Sequence, residues 1–494
     1  MGRWSRNLTL VPLAILALSA LSGCVDEKIV YRDRDLFEDP LSNAGDFIGY
    51  TDAATQLTVC GNCHVEKQGN RLTGKGWLGT AHSHAWETLE SIGQDGNAVC
   101  QGCHTVNELG NTVATTAGFN ATGEERYHDV QCESCHGPGL THVTNPTTST
   151  IPLPPLGVGI DATQGCGECH SGSHHPFVEE WTQSRHGTMD AYPQGRADCE
   201  SCHTGEGALA AFGVRTAYLE QGSVENNLSN NLPITCGVCH DPHDATNAGQ
   251  LRFPVDVPDV DQNLCMKCHH KRAIPDEGTT SRGPHSPQGP LLLGEVGQVG
   301  WTPPNFAYNN QTIRGTHGSE RNTKLCATCH VNSYEVDDAE TGAFIVTATG
   351  HLFKPIPCVD AQGVPTADDS CPKDEASRNW TACTGSGCHG DATAAKSAYN
   401  AATGRIADLV TELSDLLALV PSTEFSSTDT LYTVAEGALF NQQLGEITSS
   451  AIHNPFLTEA LLSASITAVK DTYGLPAQTP VRLETMWPQV AEIH

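Results

Sequence analysis

Basic residues are scarce. Lysine and arginine number 27 against 57 aspartates and glutamates, a formal net charge of −30. That deficit excludes a nucleic-acid binder, whose affinity rests on Lys and Arg clustered at the phosphates. It suits basic or cationic partners, although a plain solvated acidic surface accounts for it equally well. Hydrophobic residues also run low at 38%, and aromatics at 6%, in a chain with 48 glycines and 28 prolines. Such a composition buries too little apolar surface to order 494 residues unaided. Beyond the first two dozen residues, no apolar run is long enough to span a bilayer.

What the chain has in abundance is cysteine, 21 residues, and histidine, 23 residues. Most fall into one pattern, two cysteines three apart with a histidine directly after. It occurs at Cys60/Cys63/His64, Cys100/Cys103/His104, Cys132/Cys135/His136 and Cys166/Cys169/His170. It recurs at Cys199/Cys202/His203, Cys236/Cys239/His240, Cys265/Cys268/His269 and Cys326/Cys329/His330. This is the attachment signature of haem c. Two thiols at that spacing can add to the two vinyl groups of one haem, and the adjacent imidazole becomes the proximal iron ligand. A lone CxxC can bind zinc or cycle as a redox pair, but eight copies, each with its histidine, leave little to that alternative.

A ninth site is less regular. Cys383 and Cys388 precede His389, with four residues between the cysteines. We read it as an expanded haem site; the alternative is a small disulfide loop beside an ordinary surface histidine. Cys358 and Cys371 lack a following histidine and fit a structural disulfide of an oxidising compartment, reactive thiols being the other reading. Nine covalently attached haems, each a large apolar macrocycle, would replace much of the missing core. The expected fold is therefore mainly α with extensive loops and little sheet, a multihaem cytochrome c fold wrapped around a haem chain, with a C-terminal helical segment.

Residues 1–23 read as an export signal, with Arg3 and Arg6 before the apolar stretch Leu8 to Leu21. Leu21-Ser22-Gly23-Cys24 looks like a bacterial lipobox, which implies a lipid-anchored Cys24 in an outer-membrane lipoprotein facing the periplasm or the cell surface. Residues 24–50 are a polar tether, 51–205 a pentahaem module, and 206–390 a second module with four haem sites. In residues 391–494, Ile406, Leu409, Val410, Leu413 and Leu417 recur at helical spacing in a segment from Asp391 to Leu419, stopped by Pro421. A second helix is expected from Asn454 to Tyr473, with Leu457, Leu461, Ile466 and Val469 on its apolar side and Gly474 as its stop.

Three stretches carry a family resemblance: Ala81 through Leu89, Val130 through His142, and Trp181 through His186. They resemble the tetrahaem electron carriers that serve hydroxylamine oxidation and the wider hydroxylamine-oxidoreductase-like cytochromes. The resemblance covers roughly a third of the chain. It implies stacked haem pairs, with His82, His142 and His186 as distal ligands and His84 at a variable position. Ser450 through Pro455 resembles the C-terminal segment of several multihaem reductases and carriers, which implies that His453 caps an iron, that of His389.

The other distal ligands are read from local sequence. His243 follows His240 in a compact proximal-then-distal arrangement. His270, adjacent to His269, cannot bind the same iron and is assigned to a neighbouring one. His285 and His317 sit beside Gly or Pro in loops, and His351 is a further case. Of His174 and His175 one is a ligand, with His175 favoured; His128 reads as structural or solvent-facing and His494 as idle. The four methionines leave little scope for thioether ligation.

Histidines thus suffice to cap every iron twice, and a doubly capped iron transfers electrons without binding substrate. The function expected is a nonahaem electron carrier at the outer membrane, with other cytochromes, a porin–cytochrome complex or extracellular metal oxide as partners. Two alternatives stand beside it. One is an oxidoreductase acting on small nitrogen or sulfur compounds at one five-coordinate haem; the other is a subunit of a cytochrome filament. The anchor has a direct check: Cys24→Ala should move the protein from the membrane to the soluble fraction and abolish labelling by a fatty-acid probe.

Overall fold

Helical turns are short here because the sequence seldom offers more than one turn of continuous pattern. The computed structural model describes residues 44–67, 76–146, 165–214, 232–275, 282–295, 297–308, 316–385, 387–426 and 432–475. Cys24, the lipobox, the tether up to residue 43 and His494 lie outside the described residues. Among those described, strands make only three two-stranded antiparallel pieces: Tyr50–Asp52 with Leu57–Thr58, Tyr334–Asp337 with Phe344–Ala348, and Cys358–Val359 with Pro365–Thr366. The protein is mainly helical with long loops. No described helix is long and apolar enough to cross a membrane.

The N-terminal part is tied together by buried polar bonds around a small apolar cluster of Phe47, Val106, Ala117 and Tyr127. The Tyr127 hydroxyl donates to the Phe47 carbonyl (3.1 Å). Glu133, buried inside the third motif, accepts from the backbone N–H groups of Ile48, Gly49 and Gly139. Burial pushes its carboxyl up from the ordinary range, while the three donors oppose that rise. Further along, a disulfide joins Cys358 to Cys371 across the third strand pair. Closing so short a loop contributes about 3 kcal/mol in the chain-entropy account. Beside it the Arg378 guanidinium is buried and donates to the carbonyls of Ile356, Asp369 and Cys371.

The largest apolar core lies at the C-terminal end, in a bundle of three helices. Ala392–Leu417 begins at Asp391, whose carboxylate caps the Ala394 N–H. Pro455–Tyr473 begins at Asn454, whose side chain caps Leu457, and ends at Gly474 in the left-handed conformation (φ 60°). Both occupy the expected segments. Between them runs Val434–Glu446, a helix the hydrophobic spacing does not announce; its signal is the Thr433/Glu436 capping box. Leu413, Leu416, Ala435, Ala438, Leu462 and Val469 form the buried seam. Ion pairs Arg405–Glu459 and Lys470–Glu412, both 2.7 Å, close its edges.

Asn441 fastens this bundle to the loop before it, exchanging hydrogen bonds with the backbone N–H and carbonyl of Trp301 and donating to Ser465. The Trp301 indole lies directly over Gly437, where an added Cβ would come within 2.2 Å of the ring. Gly437→Ala should therefore lower stability by about 1–3 kcal/mol, the usual cost of overpacking, read as a lower midpoint in denaturant titration.

Candidate haem sites

Each regular motif is built on a turn that brings its cysteines together. Cys132–His136 and Cys326–His330 are one-turn helices, and Ala98–Cys103 and Ala197–His203 are little longer. Side chains three apart share a helix face, so the two thiols of a motif stand side by side. Isolated helices this short are not stable in water; their surroundings must hold them.

Opposite the motif histidines the fold places second imidazoles drawn from distant parts of the chain. Ring centres lie 6.4 Å apart for His64 and His142, 6.1 Å for His82 and His170, and 6.1 Å for His136 and His243. The spacing is 6.2 Å for His186 and His269, 5.9 Å for His203 and His285, and 6.4 Å for His240 and His351. It is 6.3 Å for His317 and His389 and 6.2 Å for His330 and His453. Two imidazoles bound through nitrogen at about 2 Å on opposite sides of one metal place their ring centres roughly 6 Å apart. The residues present therefore fit an axially ligated iron at each pair. His104 has two imidazoles within electrostatic reach, His82 and His175, and His175 also lies 6.4 Å from His170.

Three expectations meet a different arrangement. His240 and His243, close in sequence, do not pair with each other: His243 lies by His136 and His240 by His351. The Asp241 carboxylate holds His243, whose Nδ1 is 3.3 Å away, and Arg252. His453 lies by His330, and His317 takes the place beside His389. The short helix Ser450–His453 docks there because the Ile452 carbonyl accepts from His317 Nδ1 (2.6 Å), leaving the next residue to reach His330. Among the described residues no ring contact joins His270 to another imidazole, and its Nδ1 bonds the Met266 carbonyl one turn earlier. The remaining described histidines are accounted for locally. His128 stacks on Trp86 (3.6 Å), His174 stacks on Phe344 (4.8 Å), and exposed His84 faces Glu87.

Iron ligation needs neutral imidazoles with the far nitrogen presented to the metal. Burial, reinforced by neighbouring imidazoles, pushes His170, His186 and His351 down to about 4 and His453 to about 3. Backbone carbonyls orient several rings through Nδ1: Ala85 for His104 (2.7 Å), Gly249 for His240 (2.7 Å) and Phe353 for His330 (2.8 Å). Such bonds fix the tautomer that leaves Nε2 as the ligand.

Cysteines of different motifs also meet. Thiols interact between Cys60 and Cys132, Cys103 and Cys169, Cys166 and Cys236, Cys202 and Cys268, and Cys265 and Cys326. With haem attached these sulfurs are thioethers, so the contacts report proximity of motifs. Cys135 adjoins Cys169, Cys239 adjoins Cys265, and Cys329 adjoins Cys383 and Cys388. The exposed motif cysteines are Cys63 in the first site and Cys388 in the last, and Cys383 is not bonded to Cys388.

Residues 233–274 match the family of the doubled CXXCH motif, and residues 59–137 match that of cytochrome c554 and c-prime. The chain is a multihaem c-type cytochrome. This cytochrome is similar to the C-type polyheme cytochrome OmcB of Geobacter sulfurreducens, 26% identical over 344 residues in each of two strains. The match covers 63% of this chain but spans only 39% of that relative's length. A solved structure, the outer cell wall cytochrome OcwA, covers 75% of each chain at 19% identity and a TM-score of 0.43, too distant a likeness to carry an argument.

One carboxylate organises a central part of the cytochrome. Glu180, on the helix Phe177–Gln183, accepts from the Thr349 N–H (2.7 Å), the Thr349 hydroxyl (2.8 Å) and the His351 N–H (2.6 Å). Those bonds fix the turn that carries His351. Glu180→Gln keeps one acceptor but turns an NH2 group toward N–H donors, and should cost about 1–3 kcal/mol, measured as a fall in chemical-denaturation stability.

Proposed function

We propose that this protein is a nonahaem electron carrier whose irons are each capped by two imidazoles. The observation that supports it is the set of His–His separations of 5.9–6.4 Å at eight of nine motif histidines. His175 serves as the ninth capping residue, beside His104, in place of His270. Haem c supplies reversible one-electron chemistry at iron, and two histidine ligands favour a low reduction potential relative to His/Met ligation. The chain's own part is to anchor, orient and space. Eighteen cysteines, Cys383 and Cys388 included, tether the macrocycles; the paired histidines close the irons to substrate; the carbonyl-bonded imidazoles present Nε2 to the metal.

Proximity of the motif cysteines supports a route. It runs through the sites of His64, His136, His170, His240, His269, His330 and His389, with those of His104 and His203 as side branches. The exposed cysteines at its two ends suit exchange with partners there. Those partners are other cytochromes, a porin–cytochrome complex or an extracellular metal oxide, reached from an outer membrane to which lipidated Cys24 ties the chain. The Cys358–Cys371 disulfide suits that extracytoplasmic setting.

The second reading, an oxidoreductase with one five-coordinate haem, has a specific location, the His104 site, since His175 is shared with the surroundings of His170. Electron paramagnetic resonance of the oxidised protein separates the two. The carrier should show nine low-spin ferric haems unchanged by nitrite or hydroxylamine. A stoichiometric high-spin signal that shifts with either ligand would sink the carrier reading.

A further inference from the structure

The turn held by Glu180 contains an unusual backbone. Phe353 lies in the left-handed region at φ 57°, which bulky residues rarely adopt. Its N–H donates to the Gly350 carbonyl (3.0 Å), closing a turn that itself needs glycine: Gly350 sits at φ 81°, and an added Cβ would strike the Val331 backbone at 2.6 Å. Backbone strain of this kind persists only where the surroundings over-determine it, and it gathers at functional positions.

What surrounds Phe353 is three different histidine pairs. Its ring lies edge-on to His186, with centres 4.5 Å apart at 78°, and 5.6 Å from His351. Its carbonyl accepts from His330 Nδ1 at 2.8 Å. His186 is the partner of His269, His351 of His240, and His330 of His453. A right-handed or extended residue 353 would send ring and carbonyl in other directions and lose one set of contacts. We propose that Phe353 is a positioning residue that sets the axial ligands of three consecutive haems at once, two through its ring and one through its carbonyl.

The inference rests on the carrier reading, in that these imidazoles are taken as iron ligands. Packing against an imidazole fixes the plane in which it meets the iron. A carbonyl on Nδ1 raises the basicity of the ligand and so lowers the potential of its haem. Neither effect needs Phe353 to touch a haem itself.

Phe353→Gly separates the two contributions, because glycine holds a positive φ without strain and keeps the carbonyl while losing the ring. Paramagnetic resonance and a spectroelectrochemical titration of the haem-loaded full chain should then show two of nine haems shifted and seven unchanged. Phe353→Tyr, which keeps the ring, should restore the wild-type spectra and potentials. Phe353→Val, β-branched and resistant to the left-handed backbone, should move a third haem, to higher potential. Nine unaltered haems in Phe353→Gly overturn the proposal; so do haem loss or shifts spread over most of the nine, which mark a general folding role. The unmodified protein reports separately on the carrier reading, through the presence or absence of a high-spin haem.

Discussion

Two imidazoles held about 6 Å apart, one beside its cysteines and the other from elsewhere in the chain, are the constraint on which this structure depends. Covalent attachment fixes only one side of each site. The other side must be brought in by the fold, and that requirement explains the economy of secondary structure. Short helical turns present the motifs, while loops and caps deliver the opposing histidines. Among the described residues the largest apolar seam is that of the C-terminal bundle, and even there the short helix before Pro455 delivers His453.

Polar bonds take up much of the positioning that an apolar core would otherwise provide. Glu133 gathers three backbone donors around the third motif, and Glu180 gathers four donors around the turn of His351. Asn441 and Arg378 do the same for the loops they serve. In a chain so poor in hydrophobic residues, these buried groups have many satisfied bonds each, and removing one acceptor leaves several donors unpaired.

Much of this was legible before the fold was known. The motif cysteines and their histidines follow from local spacing, as do the two helices capped by Asp391 and Asn454. The helix Val434–Glu446 carried a readable sign in Thr433 and Glu436, but its glycines and buried polar residues blur the hydrophobic stripe. Histidine pairing was not legible, for a physical reason. Proximity in sequence favours His240 with His243, and the family resemblance favours His389 with His453, yet pairs form between residues as far apart as His330 and His453. The nearer candidate, His243, is instead held by the Asp241 carboxylate. The role of Phe353 depends on one backbone angle, which no side-chain pattern encodes.

The pairing also orders the birth of the molecule. A chain emerging amino end first supplies His64 long before His142, so the first site waits for the third motif and its following turn. Completion then advances with His170, His175, His243, His269, His285, His351 and His389 as each arrives. His330 alone waits for the short helix Ser450–His453, since its partner is His453. On the proposed pairing, the last histidine to arrive therefore falls inside the chain of sites, one place short of its end. A truncated product ending before Ser450 would keep both exposed ends while its penultimate site remained half made.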